Sequence, residues 1–99
     1  MKTIATYVFD MEILFDLPIV YRCTDGKSYA IVLQHDKEFG IYRVIVWRRG
    51  WDRVRYFYVM PGQDTVSDVH NTLCSMGFED IKEFESVLNL IMLRGVRNA

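Results

Sequence analysis

The 99-residue chain has little of several features that would point to a class of protein. Its longest stretch without a charged residue is ten residues, Val69 to Phe78, about half of the roughly 20 that a membrane helix needs. The opening "MKTIATYVF" begins like a signal peptide, but Asp10, Glu12 and Asp16 interrupt the apolar run. We therefore expect a soluble protein without a membrane segment.

Metal-binding and redox residues are also scarce. Cys23 and Cys74 are far apart, form no C-x-x-C pair and lie in otherwise apolar stretches. This favours two buried thiols in a reducing compartment, so we expect a cytoplasmic protein. His35 and His70 have no apparent metal-ligand spacing, and no glycine-rich phosphate loop occurs. The sequence thus predicts no metal site and no small-molecule cofactor.

Catalytic motifs are equally hard to find. Asp10 and Glu12, in "VFDME", resemble the opening D-x-E of proofreading-type exonucleases, in which carboxylates on a strand share a divalent metal. That family needs further carboxylates on later helices and a longer chain, so the resemblance ends after five residues. Ser67, Asp68 and His70 are triad residue types, but on one helical turn they point apart and no nucleophile elbow is present. We expect a protein that is not an enzyme.

The composition instead indicates one ordered domain with a local basic patch. Half of the residues (51%) are apolar, Gly and Pro total eight, and no linker or repeat divides residues 1–99. The net charge is only −1, but residues 43–55 hold five Arg and one Asp, a formal charge of +4. The rest of the chain holds seven basic and twelve acidic residues, a formal charge of −5. The basic charge is therefore concentrated in one segment.

Turn signals and period-two alternation predict an antiparallel meander. Asp25-Gly26 indicates a two-residue type I′ turn, because both residue types tolerate a positive φ. Further loops are predicted at 36–40 and 50–52, and Pro18 suggests a nearby sheet edge. The predicted strands are 18–23, 28–35, 41–49 and 53–60, with one or two more in segment 3–15.

After residue 62 the apolar residues recur at the spacing of one face of a helix. Thr65 with Asp68 forms a T-x-x-D capping box, and Gly77 is a natural C-terminal cap. A second capping pattern begins at Asp80, and Gly95 is the predicted stop. The sequence therefore predicts an α+β fold, with a meander of four to six strands followed by two C-terminal helices packed on one face of the sheet. The predicted helices are 66–76 and 81–94.

The loop lengths fix the register, and the register decides which side chains share a face. One predicted face is almost wholly apolar, includes Tyr56 and Tyr58, and is expected to be covered by the helices. The other joins a centre of Ile31, Ile45 and Phe57 to five arginines, whose burial without partners would cost several kcal/mol each. We expect this second face to be exposed. Its predicted binding residues are Arg43, Trp47, Arg49, Trp51, Arg53, Arg55 and Phe57.

An exposed basic and aromatic face predicts a macromolecular partner. The first expectation is a protein with an acidic surface, as for small noncatalytic regulators and for inhibitors of the viral or mobile-element type. Nucleic acid is an alternative, with arginines on phosphates and aromatic rings on bases, although the pI of about 6.1 is low for that role. Self-association through the acidic segment 79–85 is another. Finally, the N-terminal strand or a helix could cover this face, leaving Trp47 stacked on Arg55 at a basic hairpin tip.

Overall fold

The computed structural model describes residues 16–79 and 81–98, with side chains through residue 93. Four antiparallel strands form a meander in the order β1-β2-β3-β4, and two helices follow. This confirms the predicted α+β class and the four-stranded meander. The predicted strands in segment 3–15 lie outside the described residues, as do Asp10 and Glu12. The elements are β1 (Ile19–Thr24), β2 (Tyr29–Asp36), β3 (Ile41–Arg48), β4 (Arg55–Val59), α1 (Thr65–Ser75) and α2 (Lys82–Asn98).

Contacts divide the chain into two compact units. The sheet unit ends at Tyr58, and the helical unit begins at Val59. Within the described residues, neither helix is long and apolar enough to cross a membrane.

The first hairpin has a longer loop than the predicted two-residue turn. β1 ends at Thr24, and β2 begins at Tyr29. The Asp25 carboxylate accepts hydrogen bonds from the backbone amides of residues 27 to 29, at 2.7–3.2 Å. An aspartate that binds the amides ahead of it stabilises a wider turn, so the two-residue prediction is wrong. Gly26 still has the expected positive φ, at 78°.

The second hairpin loop is one residue shorter than predicted. Asp36 pairs with Ile41, so four residues instead of five join β2 to β3. The Asp36 carboxylate accepts hydrogen bonds from two loop amides, at 3.1 and 3.2 Å. Because side chains alternate along a strand, a shift of one residue exchanges the two faces of β3 relative to β2. Ile45 consequently pairs with Val32.

This register corrects the composition of both predicted faces. The expected open centre around Ile31 and Ile45 does not exist, because the two residues lie on opposite faces and both are buried. Both faces of the central strands are therefore buried. The face that we call the Ile45 face carries Ala30, Val32, Gln34, Arg43, Ile45 and Trp47, and the opposite face carries Ile31, Leu33, His35, Tyr42, Val44 and Val46.

Helix α1 begins differently from its predicted capping box. Thr65 is the first helical residue, and Asp64 occupies the N-cap position without a side-chain cap bond. The Thr65 hydroxyl donates a hydrogen bond to the Met60 carbonyl at 2.7 Å, which ties the helix to the segment before it. The predicted pairing of Thr65 with Asp68 is therefore wrong, although the helix lies within one residue of its predicted bounds.

The end of α1 follows the prediction. Gly77 has a φ of 93°, and the amides of Gly77 and Phe78 bind carbonyls of the last turn at 3.0 and 3.1 Å. This is a Schellman motif, which needs a left-handed residue and therefore favours glycine. Helix α2 instead continues past Gly95, because a glycine inside a helix costs only about 1 kcal/mol. Among the described side chains of the two helices, the buried apolar residues are Val69, Leu73, Phe84, Leu88 and Met92.

Candidate interaction surface

Arg43, a predicted binding residue, lies inside the protein. It is 4% exposed, and its Nε donates a hydrogen bond to Gln34 Oε1 at 2.8 Å. Its two terminal nitrogens donate to the Asp16 carboxylate, and Gln34 Nε2 donates to the Leu17 carbonyl at 3.2 Å. The hydrogen bond from Arg43 holds the pKa of Asp16 below its ordinary value. The charge of Arg43 is thus neutralised within the sheet unit.

Trp47, a second predicted binding residue, is also buried. It is 7% exposed and belongs to an apolar cluster with Val32 and Ile45. Its indole Nε1 donates a hydrogen bond to the carbonyl of Trp51 at 3.1 Å. Trp47 therefore holds the loop that follows β3, and its ring is not part of the outer surface.

That loop, residues 49–54, is fixed by further contacts. The amide of Trp51 binds the Arg48 carbonyl at 3.0 Å, and the amide of Arg49 binds the Ser28 carbonyl of the first hairpin at 2.8 Å. The Trp51 and Val54 side chains pack against the buried cluster. The loop is longer than the predicted three residues because it folds back onto the Ile45 face.

Four predicted binding residues come together at this loop. We call Arg49, Trp51, Arg53 and Arg55 the hairpin-loop cluster; the three arginines are exposed, and Trp51 is half-buried. The Arg55 Cζ lies 4.2 Å from the centre of the Trp51 ring, a cation–π contact. The alternative prediction placed Arg55 on Trp47, which is buried. Within residues 16–79 and 81–98, none of the three arginines forms an ion pair.

The structure adds two aromatic residues that the sequence assigned to the covered face. Tyr56 and Tyr58 of β4 are 49% and 56% exposed, with ring centres 6.0 Å apart in an edge-to-face arrangement. The Arg43 Cζ lies 5.9 Å from the centre of the Tyr56 ring. Phe57, the last predicted binding residue, is half-buried. The tyrosine pair was missed because the sequence assigned both residues to a face expected to be covered, whereas both are exposed.

Trp51, Arg53 and Arg55 of the hairpin-loop cluster line an open depression of about 660 Å³, which is formed by residues 50–55. Guanidinium groups at its rim present planar forks of N–H donors, which match the geometry of carboxylates and phosphates. The surface can therefore bind an anionic group beside an aromatic ring.

A second group of polar side chains lies in the helical unit. His70 contacts Glu85 through Nδ1, and its Nε2 lies 3.5 Å from the Cys74 sulfur. Cys74 is exposed and Cys23 is buried, so the expectation of two buried thiols is wrong for Cys74. The signal in the sequence is the spacing of four residues from His70 to Cys74, which places both on one helical face. Among the described residues, no group of three ligand side chains is arranged to hold a metal.

Comparison of the chain with protein-family models, curated proteins and solved structures found no match. The function is therefore inferred from these two groups of side chains.

Proposed function

We propose that the chain is a noncatalytic protein that binds the acidic surface of a protein partner through the hairpin-loop cluster and the tyrosine pair. One observation carries the proposal. Arg49, Arg53 and Arg55 form no ion pair with the described residues. Arg55 lies over the Trp51 ring, next to a loop held by backbone and indole hydrogen bonds. A role as a regulator, or as an inhibitor of the viral or mobile-element type, is part of this proposal.

The composition of the surface supports binding to a protein. Arginine, tryptophan and tyrosine are the residues most enriched at the energetic centres of protein interfaces. Tyr56 and Tyr58 continue the surface along β4, which is the last strand in the described order β1-β2-β3-β4. Because the loop is already held in place, less conformational entropy is lost when it binds.

The contacts of Trp51 favour a protein over a nucleic acid. A base stacks on an aromatic ring only where a ring face is free. The guanidinium of Arg55 lies over the Trp51 ring. The Trp51 side chain also packs against the buried cluster of Val32, Ile45 and Trp47. The two cysteines are free, which suits the expected reducing, cytoplasmic compartment.

A binding titration tests the proposal with three labelled probes: a short polyglutamate peptide, single-stranded DNA and double-stranded DNA, each at two salt concentrations. We expect the peptide to bind the wild type, and the Arg49→Ala/Arg53→Ala/Arg55→Ala variant to lose that binding. The matched control is Lys27→Ala/Lys37→Ala/Lys82→Ala, which removes the same charge from exposed positions outside the cluster. The control variant should bind the peptide like the wild type.

Two results would contradict the proposal. The first is tight DNA binding that is lost in the arginine variant and has a log–log salt slope of about −2 to −3, the value for three phosphate contacts. The second is a solution mass of an oligomer that becomes a monomer in the arginine variant, which would assign the surface to self-association.

A further inference from the structure

Three side chains of the helical unit form a continuous chain of contacts: Cys74, His70 and Glu85. His70 and Cys74 lie one turn apart on α1, and Glu85 lies in the first turn of α2. The Cys74 sulfur is 3.5 Å from His70 Nε2, and His70 Nδ1 contacts the Glu85 carboxylate. Cys74 is exposed, and the His70 side chain is 48% exposed, so a reagent in solution can reach both residues.

The order of these contacts defines the role of each group. A carboxylate can only accept a hydrogen bond, so the Nδ1–H of His70 donates to Glu85. In the neutral ring Nε2 then carries the lone pair and accepts the S–H of Cys74. A nucleophile bonded to a base that is oriented by a third group is the arrangement that activates a thiol.

The same geometry argues against a shared metal ion. Glu85 and Cys74 contact different nitrogens of His70, and these nitrogens face different directions from the ring. One ion cannot bind all three side chains in this arrangement. The group is therefore suited to moving a proton and not to coordinating a metal.

The other thiol of the chain provides a contrast. Cys23 is 6% exposed, and its sulfur lies 3.4 Å from the hydroxyl of Tyr29. A tyrosine hydroxyl is a poor proton acceptor near neutral pH, and burial keeps reagents away. The two cysteines therefore differ in their exposure to solvent and in whether a proton acceptor contacts the sulfur.

We propose that Cys74 is a modification site that undergoes thiol–disulfide exchange with a low-molecular-weight disulfide. As the sulfur attacks, its proton passes to His70 Nε2, and Glu85 stabilises the resulting imidazolium. A new S–S bond forms to one sulfur of the disulfide, and the old S–S bond breaks. The leaving thiolate takes the proton from His70. In sum, Cys74–SH and R–S–S–R give Cys74–S–S–R and R–SH, with the Cys74 sulfur oxidised and the leaving sulfur reduced.

The test is the rate at which the folded protein reacts with oxidised glutathione near neutral pH, with mass spectrometry of peptides to locate the modified cysteine. We expect Cys74 to react faster in the folded protein than in the same chain unfolded in denaturant, and Cys23 to react only after unfolding. His70→Ala should slow the reaction of folded Cys74 by about a hundredfold, the lower end of the range for a positioned base. Cys74→Ser should remove the fast reaction.

Glu85 is a positioning residue, and its control is Glu83→Ala, which makes the same charge change in the same helical turn. Because alanine has no acceptor, Glu85→Ala should slow the reaction of Cys74 and remove the hydrogen-bonded His70 Nδ1–H signal from the nuclear magnetic resonance (NMR) spectrum, whereas Glu83→Ala should do neither. The proposal is overturned if folded Cys74 reacts no faster than in the unfolded chain. It is also overturned if His70→Ala, verified as folded by circular dichroism, leaves the Cys74 rate unchanged.

Discussion

Replacing Arg43 with methionine tests the buried network and the register together. Methionine keeps most of the apolar stem but removes every donor of the guanidinium. Gln34 is fully buried, so its Oε1 loses its donor where water has little access, which costs about 1–3 kcal/mol. The Asp16 side chain is 54% exposed, so water can hydrate its carboxylate when Arg43 is removed. Loss of the ion pair between Arg43 and Asp16 therefore contributes little to the change in stability. We expect Arg43→Met to lower the free energy of unfolding by about 1–3 kcal/mol.

The assay is urea unfolding followed by circular dichroism, with Arg49→Met as the matched control. Arg49 is exposed, so the same substitution there should change stability by no more than about 0.5 kcal/mol. The double variant Gln34→Leu/Arg43→Met should be more stable than Arg43→Met alone, because both buried polar partners are then apolar.

An unfolding midpoint of Arg43→Met equal to that of the wild type would refute the reasoning. That result would mean that water reaches the Arg43 side chain. It would also contradict the register that pairs Val32 with Ile45 and places Arg43 beside Gln34.

Three further predictions concern stability. The Arg49→Ala/Arg53→Ala/Arg55→Ala variant should keep the wild-type melting temperature within a few degrees, because exposed charges contribute about 0–1 kcal/mol each; an unfolded circular dichroism spectrum would contradict their solvent-facing positions. Ile45→Asp should unfold the sheet unit, because it places a charge at a buried position at a cost of several kcal/mol; a folded variant with wild-type melting would show that this face is open. Hydrogen bonds from a loop serine hydroxyl and backbone amides hold the pKa of Asp25 well below its ordinary value, so its stabilising effect is complete at neutral pH and is lost as the pH falls below about 4. The stability difference between wild type and Asp25→Ala should therefore shrink in acid, and a difference that is constant or grows there would contradict the loop geometry.

The order of the elements was predictable because it depends on local patterns. Alternating apolar residues predict the four strands, and a capping glycine such as Gly77 predicts the end of α1. The register was not predictable from loop length alone, because Asp25 and Asp36 fold their carboxylates back onto loop amides. Each carboxylate stabilises a loop whose length differs from the predicted length. When a loop differs by one residue, the side chains of the following strand exchange faces.

The candidate surface was predictable only in part for the same reason. Arg49, Arg53 and Arg55 lie in or next to a loop, so their exposure does not depend on the register. Tyr56 and Tyr58 lie inside β4, and the sequence assigned them to a face expected to be covered, whereas both are exposed. Residues inside the strands therefore needed the structure, whereas residues in the loop did not.

The most direct test of the central claim is to map binding on the folded protein by NMR. Backbone amide signals are followed while the polyglutamate peptide is added to the wild type and to the Lys27→Ala/Lys37→Ala/Lys82→Ala control. Recognition by the hairpin-loop cluster and the tyrosine pair predicts that the shifted signals lie in residues 49–58 in both proteins. Shifts centred elsewhere, or shifts in the wild type that disappear in the control, would contradict that claim.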